Sequence, residues 1–396
     1  MTPPPDVDPA TRRPSTEEVM GLLRGVIDPE LGSDIVELGM AKGARVDDDG
    51  TVTVTIALTT AGCPLRAQLQ RDVRARIESL PGVRAVRLDW TELSAEERSA
   101  AMAKARWNVR DKAPETAVPP TAKVIAVASG KGGVGKSSVT VNLAAGLAAR
   151  GFVVGVLDAD IWGFSVPRML GLDGRLQGAP HGGGRTRIEP NVLPLGDGRL
   201  EVVSMGFLVD DESEALMWRG LMLNRAVQHF LEDVAWGDLD YLLIDMPPGT
   251  GDVQMGLARM LPRTEMVVVT TPALAAQKVA SRAITMARKS YLRVVGVIEN
   301  MSAFTCEHGT EYALFGAGGG AALANEAGVP LLGRIPLEPS VAAGGDAGAP
   351  VALSTGPAAD AFADVVERIV AEAVPPTDLA GCSARLLAAA VAALDD

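Results

Sequence analysis

The chain contains little cysteine and no long apolar run. Three of its 396 residues are cysteine, which is too few for a disulfide framework and predicts a reducing compartment, the cytoplasm. The longest apolar candidate, Leu386 to Leu394, is rich in alanine and far shorter than the roughly 20 residues that a membrane-spanning helix needs. The first residues have neither the basic start nor the apolar core of a secretory signal, so we expect no leader and no membrane anchor.

Positive charge is also scarce. The chain has 37 Lys and Arg against 49 Asp and Glu, which gives a net charge of −12. Because such a surface repels phosphate backbones, we expect no binding to nucleic acid. Apolar residues make up 47% of the sequence, enough to bury a sizeable core, and this excludes disorder of the whole chain.

Composition and hydrophobic pattern divide the chain into five predicted regions. Ser15, with Glu17 and Glu18 close behind it, is typical of a helix start. Short apolar strands and a second helix follow before a charged, proline-containing stretch begins. We therefore predict a tail (1–14), a small α/β domain (15–90), a helical and proline-rich tether (91–122), a large α/β domain (123–375) and a C-terminal tail (376–396).

From Lys123 onward, apolar strands alternate with helices. Continuous apolar strands are typical of a parallel sheet that is covered on both faces. The predicted fold class is therefore α/β, with a mostly parallel sheet flanked by helices and preceded by the small α/β domain. In such sheets, ligands bind beyond the carboxyl ends of the strands.

A glycine-rich loop follows the first of these strands. Residues 130–137 read G-K-G-G-V-G-K-S and match the P-loop pattern G-x-x-x-x-G-K-[ST] between a strand and a helix. In a P-loop NTPase the backbone amides and the lysine hold phosphate oxygens, and the serine hydroxyl ligates Mg²⁺. The predicted nucleotide-binding residues are Gly130, Lys131, Gly132, Gly133, Val134, Gly135, Lys136, Ser137 and Ser138.

Aspartates end two other apolar strands. Asp158 closes one strand and Asp160 follows it by two residues, while Asp245 closes another. A carboxylate at this edge can orient a water or hold the hydration shell of Mg²⁺, although aspartate is also a common turn or N-cap residue. Residues 246–252 read M-P-P-G-T-G-D, which predicts a loop that a nucleotide can order.

Several strings together resemble the Mrp/ApbC family of iron–sulfur cluster carrier ATPases. They are S-G-K-G-G-V-G-K-S at 129–137, D-A-D-I-W-G at 158–163, D-M-P-P-G-T-G-D at 245–252 and E-N-M-S at 299–302. Near the start, D-P-E-L-G at 28–32 and I-V-E-L-G at 35–39 are similar to the SufT/PaaD-like domain, which is linked to iron–sulfur maturation.

The resemblance implies a nucleotide-sandwich homodimer. The family is part of the deviant Walker A class, which also contains nitrogenase reductase, MinD and ParA, and in which a lysine at the place of Lys131 reaches the nucleotide of the partner. Catalytic roles are implied for Lys131, Lys136 and Asp160, with Asp160 positioning the attacking water.

The metal and base contacts are implied in the same way. Mg²⁺ would be held by Ser137, and through water by Asp158 and Asp245. Asn300 would hydrogen-bond the base, and the segment around Pro336 would line its pocket. ATP is the implied nucleotide, and GTP stays open because the base contacts rest on Asn300 by analogy.

The cluster site departs from the family pattern. The family carries Cys-x-x-Cys shortly after the Asn-Met-Ser string, so that two chains offer four thiolates to one [4Fe–4S] cluster. Here Cys306 is present, but Gly309 stands where the second cysteine belongs. Cys306 and His308 are the candidate cluster ligands, and a plain thiol without a cluster is the alternative. Cys63 is open between a metal-related role and a small buried thiol.

The resulting expectation is an ATP-hydrolysing carrier that transfers iron–sulfur clusters to apoproteins and works with iron–sulfur assembly proteins. One alternative is an ATP-gated dimeric scaffold that carries no cluster. Another is a positioning ATPase like MinD or ParA, against which the negative charge and the acidic end of the chain argue.

Overall fold

The computed structural model describes residues 13–28, 31, 33–59, 66–110, 116–160, 163–181, 185–208, 220–249 and 252–377. Cys63 and Cys382 lie outside these ranges, so Cys63 stays open between a metal-related role and a small buried thiol. None of the described helices combines the length and the apolar character that crossing a bilayer requires.

Helices and strands alternate along most of the described chain. The α-helices are α1 (Thr16–Leu23), α2 (Arg66–Glu78), α3 (Ala95–Arg110), α4 (Lys136–Ala148), α5 (Val166–Met169), α6 (Gly220–Asp233), α7 (Asp252–Met260), α8 (Leu274–Lys289), α9 (Gly319–Ala327), α10 (Pro339–Asp346) and α11 (Pro357–Arg368). The strands are β1 (Ile27–Asp28), β2 (Ser33–Asp34), β3 (Ala41–Val46), β4 (Thr51–Leu58), β5 (Ala85–Glu92), β6 (Lys123–Ser129), β7 (Val153–Asp158), β8 (Gln177–His181), β9 (Arg185–Glu189), β10 (Asn191–Leu195), β11 (Gly198–Ser204), β12 (Tyr241–Asp245), β13 (Glu265–Thr270), β14 (Arg293–Glu299), β15 (Phe304–Thr305), β16 (Glu311–Tyr312) and β17 (Leu331–Arg334).

The chain forms two compact units, and the larger comprises Glu115–Ser290 and Val294–Thr377. In the smaller unit, β3, β4 and β5 form a sheet in which β3–β4 is antiparallel and β4–β5 is parallel. Every second residue from Val52 to Leu58 is buried in the same apolar cluster as one face of α2. Side chains on one face of a strand recur every two residues, and those on one face of a helix recur every three to four. The division between the units falls inside the predicted tether at 91–122.

Helix α1 begins as the sequence predicts. The Ser15 hydroxyl accepts a hydrogen bond from the Glu18 amide at 3.1 Å, and the Glu18 carboxylate accepts one from the Ser15 amide at 2.7 Å. This reciprocal pair satisfies two amides that a helix start otherwise leaves without partners.

The larger unit is built on an eight-stranded sheet in the order β10-β11-β7-β12-β6-β13-β14-β17. The pairings β11–β7, β7–β12, β12–β6, β6–β13 and β14–β17 are parallel, and the edge strand β10 is antiparallel to β11. This confirms the predicted mostly parallel α/β fold. Helix α4 follows β6 and leads toward β7, whereas α8 follows β13 and leads toward β14, in the opposite direction along the sheet. Because crossovers between parallel strands are right-handed, these two helices cover opposite faces of the sheet.

Strand register determines which side chains meet at the carboxyl edge of the sheet. Asp245 of β12 pairs with Asp158 of β7, and Asp158 pairs in turn with Ser204 of β11. Three polar side chains therefore lie at one level on three adjacent strands. The P-loop leaves the neighbouring strand β6 at the same edge.

Some elements carried no clear signal in the sequence. Antiparallel pairing with a neighbouring strand, and not a pattern in their own residues, defines five of these strands. They are the hairpin strands β8 and β9, the edge strand β10 and the short hairpin strands β15 and β16. Strand β10 contains Pro194, and proline is tolerated at a sheet edge because its missing N–H need not face a neighbour.

Candidate functional site

The P-loop runs from β6 to the start of α4. Gly133 and Gly135 have φ of +78°, the left-handed region that favours glycine. A Cβ on Gly135 would lie 2.3 Å from Asn300 Nδ2, and one on Gly130 would lie 2.2 Å from the backbone of Val279. Two glycines are thus required by contacts within the fold itself.

The exposed part of the loop is where a phosphate can approach. Lys131, Gly132 and Gly133 are exposed, whereas Val134 is buried. The Ser129 hydroxyl donates to the Lys131 carbonyl at 3.0 Å, which holds the base of the loop. The open amides and the N-terminus of the 13-residue helix α4 together form the kind of concavity that binds anions.

Lys136 lies under the loop and is held by two carboxylates. Its Nζ donates to Asp245 Oδ1 at 2.7 Å and lies 3.7 Å from Asp160 Oδ2. The side chain is 6% exposed, so these ion pairs offset the desolvation of the buried amine.

Asp245 is fully buried and accepts from three side chains of α4. Besides Lys136, Ser137 Oγ donates to Asp245 Oδ2 at 2.5 Å, and Thr140 Oγ1 contacts Oδ1 at 3.0 Å. Thr140 was not predicted as a site residue. Its distance of four residues from Lys136 was the available signal, because side chains at i and i+4 share a helix face.

Asp158 contacts groups of the protein through both of its carboxylate oxygens. Oδ1 accepts from the Asp160 amide at 3.2 Å, and Oδ2 accepts from Ser204 Oγ at 3.0 Å and from the amides of Ser165 and Val166 at 3.3 Å. Burial, together with the neighbouring Asp245 carboxylate, raises the pKa of Asp158 to about 7. Ser204 is a second residue that sequence reasoning missed.

Asp160 lies between Asp158 and the P-loop lysine. Its side chain is 11% exposed and faces Lys136, while its backbone carbonyl accepts from the Gly163 amide at 3.3 Å. The predicted residues Asp158, Asp160, Asp245, Lys136 and Ser137 are therefore brought together, and their assigned roles stay predictions.

A second segment adjoins the P-loop from the other side. Asn300 Nδ2 donates to the Val134 carbonyl at 2.9 Å, and the Asn300 amide donates to the Thr270 carbonyl at 2.8 Å. The residues around Pro336 are hydrogen-bonded to the same segment, through Ser302 N–H to Ile335 O at 2.9 Å and Leu337 N–H to Ala303 O at 2.8 Å. The structure thus brings Asn300 and Pro336 together, and their contact with a base stays a prediction.

The loop after Asp245 is tied to the P-loop strand by backbone contacts. The Met246 amide donates to the Val127 carbonyl at 3.1 Å, and the Gly249 amide donates to the Ser129 carbonyl at 3.0 Å. Gly249 has φ of +98°, which only glycine adopts readily. Thr250 and Gly251 lie outside the described residues.

The donor set beside Lys136 suits Mg²⁺. Ser137 Oγ and the Asp245 carboxylate are hard oxygen ligands placed 2.5 Å apart at the end of the P-loop, and Mg²⁺ prefers one or two such ligands together with water and phosphate oxygens.

Cys306 lies in the turn of the hairpin β15–β16. Its amide donates to the Thr310 carbonyl at 3.0 Å, and its carbonyl accepts from the Gly309 amide at 2.9 Å. The backbone amides of His308 and Thr310 hold the pKa of the Cys306 thiol below its usual range, which favours the thiolate.

His308, the other candidate cluster ligand, is largely exposed. Its side chain is 82% exposed, and its Nε2 lies 3.7 Å from Glu307 Oε1. Among the described residues no group of three or more His, Cys, Asp or Glu is arranged to hold a metal ion. Within the part of one chain that the structure describes, this turn therefore offers a single thiolate, and cluster ligation by Cys306 or His308 stays a prediction.

Comparison with known proteins adds family evidence to this geometry. A family model described as NUBPL iron-transfer P-loop NTPase matches residues 121–370, and one described as iron-sulfur cluster assembly protein matches residues 16–88. The chain is 46% identical over 337 residues to a protein of Mycobacterium bovis named "Iron-sulfur cluster carrier protein", covering 83% of this chain and 86% of the relative.

Two further relatives extend the comparison. A Synechocystis protein of the same name is 41% identical over 355 residues, covering 88% of this chain and 94% of that protein. A solved structure of a nucleotide-binding protein from Archaeoglobus fulgidus in complex with ADP is 36% identical with a TM-score of 0.50, and the match covers 60% of this chain and 91% of that one.

Proposed function

Because the chain belongs to the NUBPL iron-transfer P-loop NTPase family, we propose that it is an ATP-hydrolysing carrier that binds iron–sulfur clusters and transfers them to apoproteins. The observation that carries the proposal is the buried arrangement of Lys136, Asp245 and Asp160 beneath an open P-loop. The names of the relatives in Mycobacterium and Synechocystis support the choice of cargo.

Nucleotide binding rearranges contacts that the protein already makes. Lys136 Nζ leaves Asp245 Oδ1 and moves to the β- and γ-phosphates, while the amides of residues 131–136 hold phosphate oxygens. Mg²⁺, when bound, neutralises phosphate charge during transfer of the terminal phosphoryl group. Ser137 Oγ and the Asp245 carboxylate are the groups of this chain that would hold it.

Asp160 is the residue we assign to the attacking water. It lies 3.7 Å from Lys136 Nζ, so its carboxylate stands beside the lysine that holds the phosphates, where it can accept a hydrogen bond from the attacking water. Lys131 is exposed at the tip of the loop, where we propose that it reaches the nucleotide of a second copy. The working form is then a homodimer in the cytoplasm.

The cluster is cargo and meets the protein at Cys306. The lowered pKa of this thiol provides the thiolate that cluster iron requires. Two chains supply two such thiolates, so the remaining positions on the cluster belong to other ligands. Apoprotein clients and iron–sulfur assembly proteins are the partners that this function requires.

Cluster reconstitution tests the proposal. We expect anaerobically reconstituted protein to bind iron and sulfide and to activate an apoprotein that needs a [4Fe–4S] cluster, with a rate that depends on ATP. Cys306→Ala should lose at least nine-tenths of the bound iron, whereas the matched control Cys382→Ala should keep it. Asp160→Asn should bind ATP and hydrolyse it at least tenfold more slowly.

A second candidate function rests on Gly309. This residue stands at the position of the second family cysteine with φ of +77° and open space around it. An ATP-gated scaffold that carries no cluster and acts on a protein partner is consistent with that loss. Iron-free protein whose ATPase activity is stimulated by one partner would favour the scaffold, and equal iron in the wild type and Cys306→Ala would exclude Cys306 as the ligand.

A further inference from the structure

We propose that Thr140 is a positioning residue that keeps the Asp245 carboxylate oriented after nucleotide has drawn Lys136 and Ser137 away from it. The inference rests on the proposed ATP site and adds to it a residue outside the P-loop pattern. Thr140 belongs to α4 and is fully buried.

The hydroxyl of Thr140 has two acceptors within reach. Its Oγ1 lies 3.0 Å from Asp245 Oδ1 and 3.0 Å from the Lys136 carbonyl one helical turn earlier. A hydroxyl has one proton, and a carboxylate is a stronger acceptor than a carbonyl that already serves the helix ladder. We therefore assign the proton to Asp245.

The three donors to Asp245 differ in what else they must do. Lys136 has the phosphates as a second partner, and Ser137 has the metal. Thr140 lies a full turn into α4, and it is 0% exposed, unlike the open residues of the P-loop. When the other two donors turn to the nucleotide, Thr140 is the α4 donor that remains.

Loss of every donor would be costly at this position. Asp245 is 0% exposed, and a buried carboxylate without a hydrogen bond pays its full desolvation penalty. The hydrogen bond from the Thr140 hydroxyl, at 3.0 Å, then holds Oδ1 in place. Oδ2, which now accepts from Ser137, is then the oxygen that would face the hydration shell of Mg²⁺.

If Thr140 only packed within the helix, its removal would affect stability and not the response of nucleotide binding to Mg²⁺. Threonine within a helix often bonds only to the carbonyl four residues earlier, as Thr285 does in α8 with Ser281 at 2.9 Å. Removal of such a contact would change stability without changing how nucleotide binding responds to Mg²⁺. The Mg²⁺ response therefore distinguishes the two roles.

The experiment measures the dissociation constant of a fluorescent ATP analogue in EDTA and across a Mg²⁺ titration. For Thr140→Val we expect affinity in EDTA within about twofold of wild type, and an Mg²⁺-induced gain in affinity about tenfold smaller, the effect of one hydrogen bond to a charged group. Thr140→Ser should restore the gain to within about threefold. Thr285→Val, which removes a hydroxyl-to-carbonyl contact at an exposed helix position, should match wild type.

Three results would overturn the inference. They are a wild-type Mg²⁺ response in Thr140→Val, an equal loss of affinity with and without Mg²⁺, and failure of Thr140→Ser to restore the response. If Thr140→Val does not fold, Thr140→Ala is measured against Thr140→Ser by the same criteria. Wild-type protein that retains no ATP analogue at any Mg²⁺ concentration would instead refute the proposed function, and this inference with it.

Discussion

At the scale of single residues, the site is dominated by an excess of negative charge. Asp158, Asp160 and Asp245 share the buried amine of Lys136. Burial, and after it the neighbouring Asp245 carboxylate, raises the pKa of Asp158.

The first prediction concerns Asp158 and pH. Its pKa rises from 3.8 to about 7 on folding, so between these values the native protein binds a proton that the unfolded chain does not. Stability must then fall as pH rises through this window. We expect the wild type, without Mg²⁺ or nucleotide, to lose on the order of 2 kcal/mol more than Asp158→Asn between pH 5 and 7.5.

Urea unfolding at a series of pH values measures this difference. Groups other than Asp158 titrate in both proteins, so comparison of the two curves isolates the one carboxyl. Parallel curves for the wild type and Asp158→Asn would show that the pKa of Asp158 is not raised by folding.

At the scale of elements, the P-loop depends on its surroundings as much as on its own pattern. Gly135 precedes α4 as its N-cap in the left-handed region, and a Cβ added there would meet the side chain of Asn300. Asn300 in turn donates to the Val134 carbonyl inside the loop. The segment that follows β14 thus holds the P-loop in shape.

The second prediction compares two glycines of the same loop. Gly135→Ala should lower the free energy of unfolding by about 2 kcal/mol, because a non-glycine residue is strained at positive φ and its Cβ would meet the Asn300 amide. Gly132→Ala should change it by less than about 0.5 kcal/mol, since Gly132 has open space around it. Chemical denaturation without nucleotide measures both, and equal losses would contradict the assigned strain.

Several elements were predictable because their signals are local. The strand β6, the loop and helix α4 follow from a contiguous apolar run, a glycine pattern and a helical period. The capping box at Ser15 is local in the same sense. By contrast, Ser204 and Asp158 are 46 residues apart, and no local pattern in either segment announces their hydrogen bond.

At the scale of the whole molecule, the net charge of −12 works against association of two copies. Close approach of like-charged surfaces must be offset by specific contacts and by bound ligand. Lys131, exposed on the P-loop, is the residue that we expect to supply such a contact.

The third prediction therefore concerns association. With ATP and Mg²⁺ present and hydrolysis blocked by Asp160→Asn, the protein should sediment as a dimer, and adding Lys131→Ala should weaken the dimer at least tenfold. Lys278→Ala removes an exposed lysine from α8 and serves as the control. An ATP-dependent dimer of unchanged affinity in the Lys131 variant would refute the contact between subunits.

The amino-acid sequence alone was enough to predict the fold class and the P-loop. Apolar periodicity reveals strands and helices within consecutive residues, and the close approach of backbone to phosphate requires glycines within one short loop. Tertiary structure decided which donor each buried aspartate receives. Strand order and register place Ser204, Asp158 and Asp245 side by side, and helix α4 brings Thr140 to Asp245 from 105 residues away. Such contacts join separate segments, and only the packed sheet determines which segments meet.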